Sequence, residues 1–308
     1  MSTSTSTVTN NSADSRSESA AVSPARLFYW SVRRELWEYR SIYIAPLAAA
    51  GVFLFGFLIS LIHPPSRVEG ISVHDGDRLV ALRHYDVAAG LIMITTLIVA
   101  VFYCLDALSG ERRDRSILFW KSLPVSDLTT VVSKAFIPIV VLQLLAWAIT
   151  SATQLIMLLL SSAVLAASGQ SVAMLWSKVS FFQMSFMLLY HLLTMHALWY
   201  APVYCWLLLV SAWARRAPFL WAILPPLAIG VVEKIAFNTM YFGNFIGYRL
   251  TGGMEVTGSS APGRLPIDPG MEITPGHFLA SPGLWLGLTA AAAFLYAAAR
   301  IRRARGPI

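Results

Sequence analysis

Few residues of this chain could do chemistry, because only 13% of its 308 residues are charged. ATP hydrolysis by a P-loop needs a Gly-Lys-Ser/Thr run that cradles the phosphates. No lysine of this chain follows a glycine, since the preceding residues are Trp120, Ser133, Ser177 and Glu233. We therefore expect that this chain does not hydrolyse ATP by that route, and that any energy it uses comes from a partner or a gradient.

His191 and His196 are the pair that could suggest a metal site. The HExxH motif of zinc proteases places two histidines on one face of a helix. At about 100° per residue, a separation of five positions turns the second side chain about 140° away from the first. The spacing therefore predicts two packing histidines on different faces, and no metal site.

Polar residues within the apolar segments are candidates for function because they are costly in lipid. Asp106 lies near the end of the second segment and could belong to a transport pathway, whereas Glu233 and Lys234 suit a membrane interface. The third segment carries polar side chains that could either line a pathway or bond across helices. These are Gln143, Thr150, Ser151 and Gln154.

The composition assigns the chain to the membrane. Hydrophobic residues make up 56% of it and its mean hydropathy is +0.63, whereas soluble domains carry about 25% charged residues. A net charge of +7 could suggest nucleic acid, but the basic residues cluster at the ends of apolar segments, as the positive-inside rule predicts. Cys104 and Cys205 both lie inside apolar segments, so we expect buried thiols and no disulfide.

Six apolar segments are each long enough to cross about 30 Å of hydrocarbon. The predicted fold class is an all-α integral membrane protein, a six-helix bundle. The spans are expected at about 42–62, 87–108, 135–166, 181–213, 218–236 and 283–300. Pro225-Pro226 is expected to interrupt the fifth.

The first 41 residues differ in composition from the spans. Residues 1–23 are rich in Ser, Thr and Asn, which predicts a disordered tail before a single transmembrane domain at 24–308. Residues 24–41 mix Leu, Phe and Trp with Arg, which favours an interfacial helix over a soluble leader helix.

With both termini in the cytoplasm, 16 Lys and Arg lie inside and seven outside. That bias predicts a multi-pass protein of the plasma membrane, here the bacterial inner membrane.

The segment 109–134, between the second and third spans, carries the strongest functional signal. It is cytoplasmic by the charge count, yet Phe119, Trp120 and Leu123 lie in an apolar cluster that an ordinary loop would not expose to water. Part of it must lie in the interface or against another protein. Ser126 or Asp127 could cap a helix that continues into the third span.

The run GERRDRSILFWKSLPVSD, followed by Ser133 and Lys134, resembles the cytoplasmic segment of ABC-2 type transporter permeases. The family pattern is a Glu-Arg pair, a spacer, an apolar stretch that ends in Leu-Pro near a small polar residue, and a Lys that opens the next helix. The matching positions are Glu111, Arg112, Leu123, Pro124, Ser126 and Lys134. The resemblance covers about residues 25–305, although the spacer here is Asp114-Arg115-Ser116, where many family members have Gly.

This resemblance implies a permease subunit that works as a homodimer or heterodimer, with export as the favoured direction. Segment 109–127 would be a coupling helix that docks into a separate ABC ATP-binding subunit, which holds the ATP and Mg²⁺. The resemblance thus implies that this chain is a transporter subunit, not an enzyme, and that it holds no cofactor itself. The implied coupling residues are Glu111, Arg112, Phe119, Trp120, Leu123 and Pro124. The alternatives are a segment that only anchors to lipid and, for the whole chain, an ATP-independent membrane enzyme, a lipid-handling protein or a gradient-driven carrier.

Overall fold

A computed structural model of the protein describes residues 23–62, 76–114, 126–169, 171–250 and 275–304. Within these ranges the chain is helical and contains no strand. Six of its helices are long and apolar enough to cross a membrane. The predicted all-α class is confirmed at this level, and the chain has the character of a multi-pass membrane protein.

The helices of the described ranges are numbered in chain order. They are α1 (Pro24–Glu38), α2 (Ser41–Ile62), α3 (Gly76–Asp106), α4 (Ser109–Arg113), α5 (Asp127–Phe136), α6 (Leu142–Ala167), α7 (Val172–Lys178), α8 (Phe181–His191), α9 (Ala201–Trp213), α10 (Pro218–Phe237), α11 (Tyr241–Leu250), α12 (Pro275–Ala280) and α13 (Pro282–Ala304). Two π-helical segments, Ile137–Val141 and Leu192–Trp199, join α5 to α6 and follow α8.

Proline explains where the long spans deviate from a regular α-helix. It lacks an N–H and clashes with the carbonyl four residues earlier. Pro138 lies in the first π-helical segment, where Leu142 N–H bonds to the carbonyl of Ile137 five residues back. Gln143 Nε2 donates to the Pro138 carbonyl at 2.9 Å. The predicted fourth span, 181–213, is not one continuous helix, because a turn at Tyr200 separates the second π-helical segment from α9 just before Pro202.

Pro225 and Pro226 do not interrupt the fifth span as the sequence suggested, since α10 continues through both. Pro226 leaves the carbonyl of Ala222 without its usual helical donor. The indole Nε1 of Trp206 in α9 donates to that carbonyl at 3.2 Å. A neighbouring helix thus satisfies the freed backbone group, which is how transmembrane helices tolerate interior proline.

The bundle is closely packed at its centre and open on two sides. Helices α9 and α13 pack along each other, and the largest core cluster joins α3 and α9 through side chains such as Tyr103, Cys104 and Tyr204. Both cysteines are buried and free, as predicted. In contrast, only 17% of the apolar stretch of α2 and 6% of that of α10 is buried within the chain. These two helices therefore present apolar surface that lipid or another helix must cover.

Candidate functional site

Charged side chains from four helices meet inside the bundle and form an ion-pair network. Glu35 of α1 is only 2% exposed. Its Oε1 accepts a hydrogen bond from Lys134 Nζ of α5 at 2.8 Å, and its Oε2 accepts one from the hydroxyl of Tyr103 in α3 at 2.9 Å. Both oxygens of this carboxylate therefore have a partner, as burial of a charge requires.

Glu111 of α4 makes the second set of contacts in this network and is 3% exposed. Its Oε1 lies 3.0 Å from Arg34 Nη2 and 3.2 Å from Lys134 Nζ. Its Oε2 lies 3.1 Å from Nη2 of Arg302, near the end of α13. Arg302 Nη1 in turn donates to Asp127, the first residue of α5. One carboxylate thus connects α1, α4, α5 and α13.

Apart from Glu38, which is 46% exposed and also pairs with Arg34, the described members of the network are three cations and three anions. These are Arg34, Lys134 and Arg302 against Glu35, Glu111 and Asp127. Burial lowers the pKa of Arg34, but the carboxylates of Glu35, Glu111 and Glu38 outweigh that effect and leave it raised. A buried pair is favourable only where geometry and hydrogen bonds offset the loss of solvent. The balance allows these six charges to lie together in a poorly hydrated place.

Arg112 and Ser211 join α4 to the end of α9. Nη2 of Arg112 donates to the carbonyls of Ser211 and Ala214 at 2.7 and 2.6 Å, where the last carbonyls of α9 lack helical donors. The hydroxyl of Ser211 accepts hydrogen bonds from the backbone N–H groups of Leu108 and Ser109 at 3.1 and 2.9 Å. The short helix α4 is thereby held at both of its ends, so that Glu111 is fixed in the network.

Asp106, predicted as a pathway residue, lies at the edge of this network with 42% of its side chain exposed. Its Oδ2 accepts a hydrogen bond from the Tyr39 hydroxyl at 3.2 Å, and its Oδ1 lies 3.6 Å from Arg113. Burial and the Asp106 charge raise the pKa of Tyr39, which keeps the phenol protonated as the donor. The aspartate is therefore placed at the end of α3 and not in the middle of the bundle.

Two of the residues that the resemblance implied for coupling, Glu111 and Arg112, lie in the described part of the chain. Each is 3% exposed and binds other parts of the same chain. Phe119, Trp120, Leu123 and Pro124 lie outside the described residues. The described residues flank that segment on both sides, with α4 before it and α5 after it. Ser126 caps α5, because its hydroxyl accepts from Thr129 N–H at 3.0 Å.

The polar residues proposed to line a pathway are enclosed within this one chain. Gln143 and Gln154 are each 1% exposed and Thr150 is fully buried. Gln154 Nε2 donates to the carbonyl of Tyr85 in α3 at 3.3 Å, and the hydroxyls of Ser151 and Ser185 are 2.9 Å apart. These contacts join helices within the bundle. A pathway along them would need the bundle to open.

The expectation that His191 and His196 occupy different faces is wrong. Their ring centroids are 5.6 Å apart, and His196 also packs against Tyr200. The cause is the π-helical segment Leu192–Trp199, because π-helical hydrogen bonds join residues five apart. Residues five apart therefore lie nearly one turn apart on the same side. Among the described residues no group of three or more His, Cys, Asp or Glu forms a potential metal site.

Glu233 has a structural role that its position at the end of α10 had not revealed. Its Oε1 accepts from the backbone N–H of Tyr241 at 2.6 Å and from the Thr239 hydroxyl at 2.8 Å. Its Oε2 accepts from the N–H of Phe242 at 2.8 Å. A carboxylate at this place satisfies the first N–H groups of α11 and complements the helix dipole. This contact fixes the start of α11 against the end of α10.

The fold and this network define a class, a helical multi-pass membrane protein with a buried ion-pair network at one end of its bundle. Comparison with known proteins finds no matching family model, no matching curated protein and no matching solved structure.

Proposed function

We propose that this chain is the membrane-spanning permease subunit of an ABC-2 type ATP-driven exporter in the bacterial inner membrane. In this proposal two permease subunits, identical or different, form the translocation pathway. Separate ABC subunits bind ATP and Mg²⁺ and hydrolyse the ATP, and segment 109–127 contacts them from the cytoplasmic side. The resemblance of GERRDRSILFWKSLPVSD to the coupling segment of such permeases is the starting point.

The observation that carries the proposal is that described residues on both sides of positions 115–125 belong to the ion-pair network. Glu111 lies shortly before this segment and Asp127 shortly after it, and both bind Arg302 of α13. Glu111 also contacts Arg34 of α1 and Lys134 of α5. A push on the segment would therefore reach three helices through direct charge contacts. A loop that only anchors to lipid has no need of such a connection.

The uncovered apolar surfaces of α2 and α10 also support the dimer in this proposal. Only 6% of the apolar stretch of α10 is buried by the described part of the chain, and α2 exposes residues such as Val52 and Phe55. In a bilayer, lipid tails cover such surface as well as another helix does, so association also needs close packing. At Gly51 and Gly56 of α2, a Cβ atom added to the glycine would have no heavy atom within 4 Å. The surface there is open, so another helix could approach closely.

Co-purification is the experiment that tests the proposal. The tagged chain is extracted in a mild detergent and the proteins that accompany it are identified and assayed for ATP hydrolysis. We expect a stoichiometric P-loop ATPase whose activity is sensitive to vanadate. A chain that purifies without any ATPase would overturn the proposal and favour a gradient-driven carrier or an ATP-independent membrane enzyme.

A further inference from the structure

Arg249, in the last turn of α11, is a buried cation outside the ion-pair network. It is 7% exposed, and its guanidinium lies 4.4 Å from the ring centroid of Trp199. Nη2 donates to the carbonyl of Gly283 at 3.1 Å. That carbonyl belongs to the first turn of α13, which begins at Pro282. The guanidinium therefore lies between an aromatic ring and the start of a helix.

Gly287 of α13 leaves the space that this guanidinium occupies, and Gly283 lies beside Trp199. A Cβ built on Gly287 would lie 1.4 Å from Arg249 Nη2 and 2.6 Å from its Cζ, so no other residue could stand there without moving the arginine. A Cβ on Gly283 would meet the ring of Trp199 at 3.6 Å. The two glycines are four apart and so lie on one face of α13. Of the two, Gly287 is the one whose lack of a side chain the position of Arg249 requires.

The backbone around Arg249 is also held in place. The indole Nε1 of Trp199 donates to the carbonyl of Arg249 at 3.0 Å, and the hydroxyl of Tyr200 donates to that of Leu250 at 2.7 Å. The Trp199 ring also packs against Tyr248, with centroids 5.4 Å apart. A side chain fixed in this way loses little further freedom when it binds a ligand.

The charge of Arg249 lacks a counterion in the described part of the chain. No carboxylate there lies within 4.0 Å of its guanidinium, and the bond to Gly283 is its one hydrogen bond there, although a guanidinium has five N–H donors. The start of α13 adds positive partial charge at the same place. Burial lowers the pKa of Arg249, which remains protonated because arginine titrates so far above neutral pH. The place therefore has positive potential with donors to spare.

We propose that Arg249 is the centre of a binding site for a phosphate group. A guanidinium presents its donors as a planar fork that suits phosphate oxygens. The Trp199 ring lies against it and itself packs against Tyr248 and Phe278, and these aromatic side chains suit an amphiphilic molecule. The phosphate belongs either to the headgroup of an anionic phospholipid or to free phosphate. This site does not depend on the proposed ATPase partnership.

The site is tested by thermal denaturation of the full chain in dodecyl maltoside. The probes are dioctanoyl-phosphatidylglycerol, the uncharged dioctanoylglycerol, and sodium phosphate against sodium chloride at equal ionic strength. We expect phosphatidylglycerol to raise the Tm saturably by roughly 5 °C, because a ligand that binds only the folded state stabilises it. Dioctanoylglycerol should leave the Tm unchanged. An equal rise with sodium phosphate would support the site and identify free phosphate as sufficient.

Variants test whether the rise in Tm depends on Arg249. Arg249→Gln should lose the rise, whereas Arg216→Gln, a change at an exposed arginine, should keep it. Gly287→Ala keeps the charge but displaces the guanidinium, and it should also lose the rise. Gly287→Ala decides the matter if Arg249→Gln does not fold. A wild-type Tm that responds to none of the probes, or an unchanged rise in a folded variant at Arg249 or Gly287, overturns the proposal.

Discussion

Glu111 illustrates how much a single buried charge does in this chain. It contacts Arg34, Lys134 and Arg302, which come from three different helices. Loss of its charge would leave those cations with a deficit of one negative charge in a place that water hardly reaches. Removal of one partner from a buried ion pair is costly because the other charge stays buried without compensation.

We predict that Glu111→Gln destabilises the protein by about 3–5 kcal/mol. The matched control is Glu38→Gln, which removes another carboxylate bound to Arg34 but one that is 46% exposed. For that i,i+4 pair a loss of about 0.3–0.5 kcal/mol is expected, because water screens exposed pairs. Both are measured as shifts in the unfolding midpoint of the protein in mild detergent. Equal shifts in the two variants would contradict the importance of the network.

A double variant tests whether charge balance is the cause. Glu111→Gln with Lys134→Met removes one charge of each sign and leaves Glu35 beside Arg34, and Arg302 beside Asp127. We predict that the double variant is more stable than Glu111→Gln alone, because no net charge is left unpaired. The measurement is a double-mutant cycle of unfolding midpoints. Additive losses would show that the residues act through packing and not through charge.

The residues of the network could be predicted only in part. Glu111 and Lys134 were singled out because they match a family pattern, and a charge within an apolar helix is a candidate by default. Their partners could not be identified, since Glu35 is 99 positions from Lys134 and Arg302 is 191 positions from Glu111. Periodicity relates residues within one helix. Which charges of different helices meet depends on how those helices pack.

At the scale of elements, the positions of the helices followed from the apolar runs, but their internal geometry did not. The first span was expected at 42–62 and occupies Ser41–Ile62. The assumed 100° per residue failed for His191 and His196, because the chain is π-helical from Leu192 to Trp199. Likewise, the continuation of α10 through Pro226 depends on a hydrogen bond from Trp206, which no pattern within α10 could reveal.

A further prediction concerns the proposed coupling segment, residues 109–127. Replacement of both Phe119 and Leu123 by Asp should abolish association with the ATPase, because a charged side chain cannot enter the apolar cleft that the proposal requires. Membrane insertion should remain intact, since both changes lie outside the six spans. The measurement is the ratio of ATPase to permease after co-purification.

The matched control for that experiment adds the same two charges to the same segment. Ser116→Asp with Ser122→Asp leaves the apolar side chains in place and should retain most of the ATPase. Undiminished association in the Phe119 and Leu123 variant would refute the coupling role of this segment. Loss of association in both variants would mean that added charge alone explains the effect, and the apolar cluster would then have no special role.

At the scale of the whole molecule, the network and the charge count give consistent expectations. The network joins the start of α5 to the end of α13, so both lie at one end of the bundle. The charge count predicts that this end is cytoplasmic, because that orientation puts 16 Lys and Arg inside and seven outside. The proposed phosphate site at the start of α13 would then lie towards the outer side, because a helix of 23 residues is about 35 Å long.

Labelling of single cysteines tests that orientation. A membrane-impermeant maleimide applied to intact cells with a permeable outer membrane should react with Ser259→Cys, which lies between the fifth and sixth predicted spans and therefore on the predicted outer side, and not with Ser116→Cys. Cys104 and Cys205 should stay unlabelled, because both are buried within the bundle. Disruption of the inner membrane should then expose position 116 and so control for its reactivity. Labelling of position 116 alone in intact cells would invert the topology, and would place the coupling segment where no ATP-binding subunit could reach it.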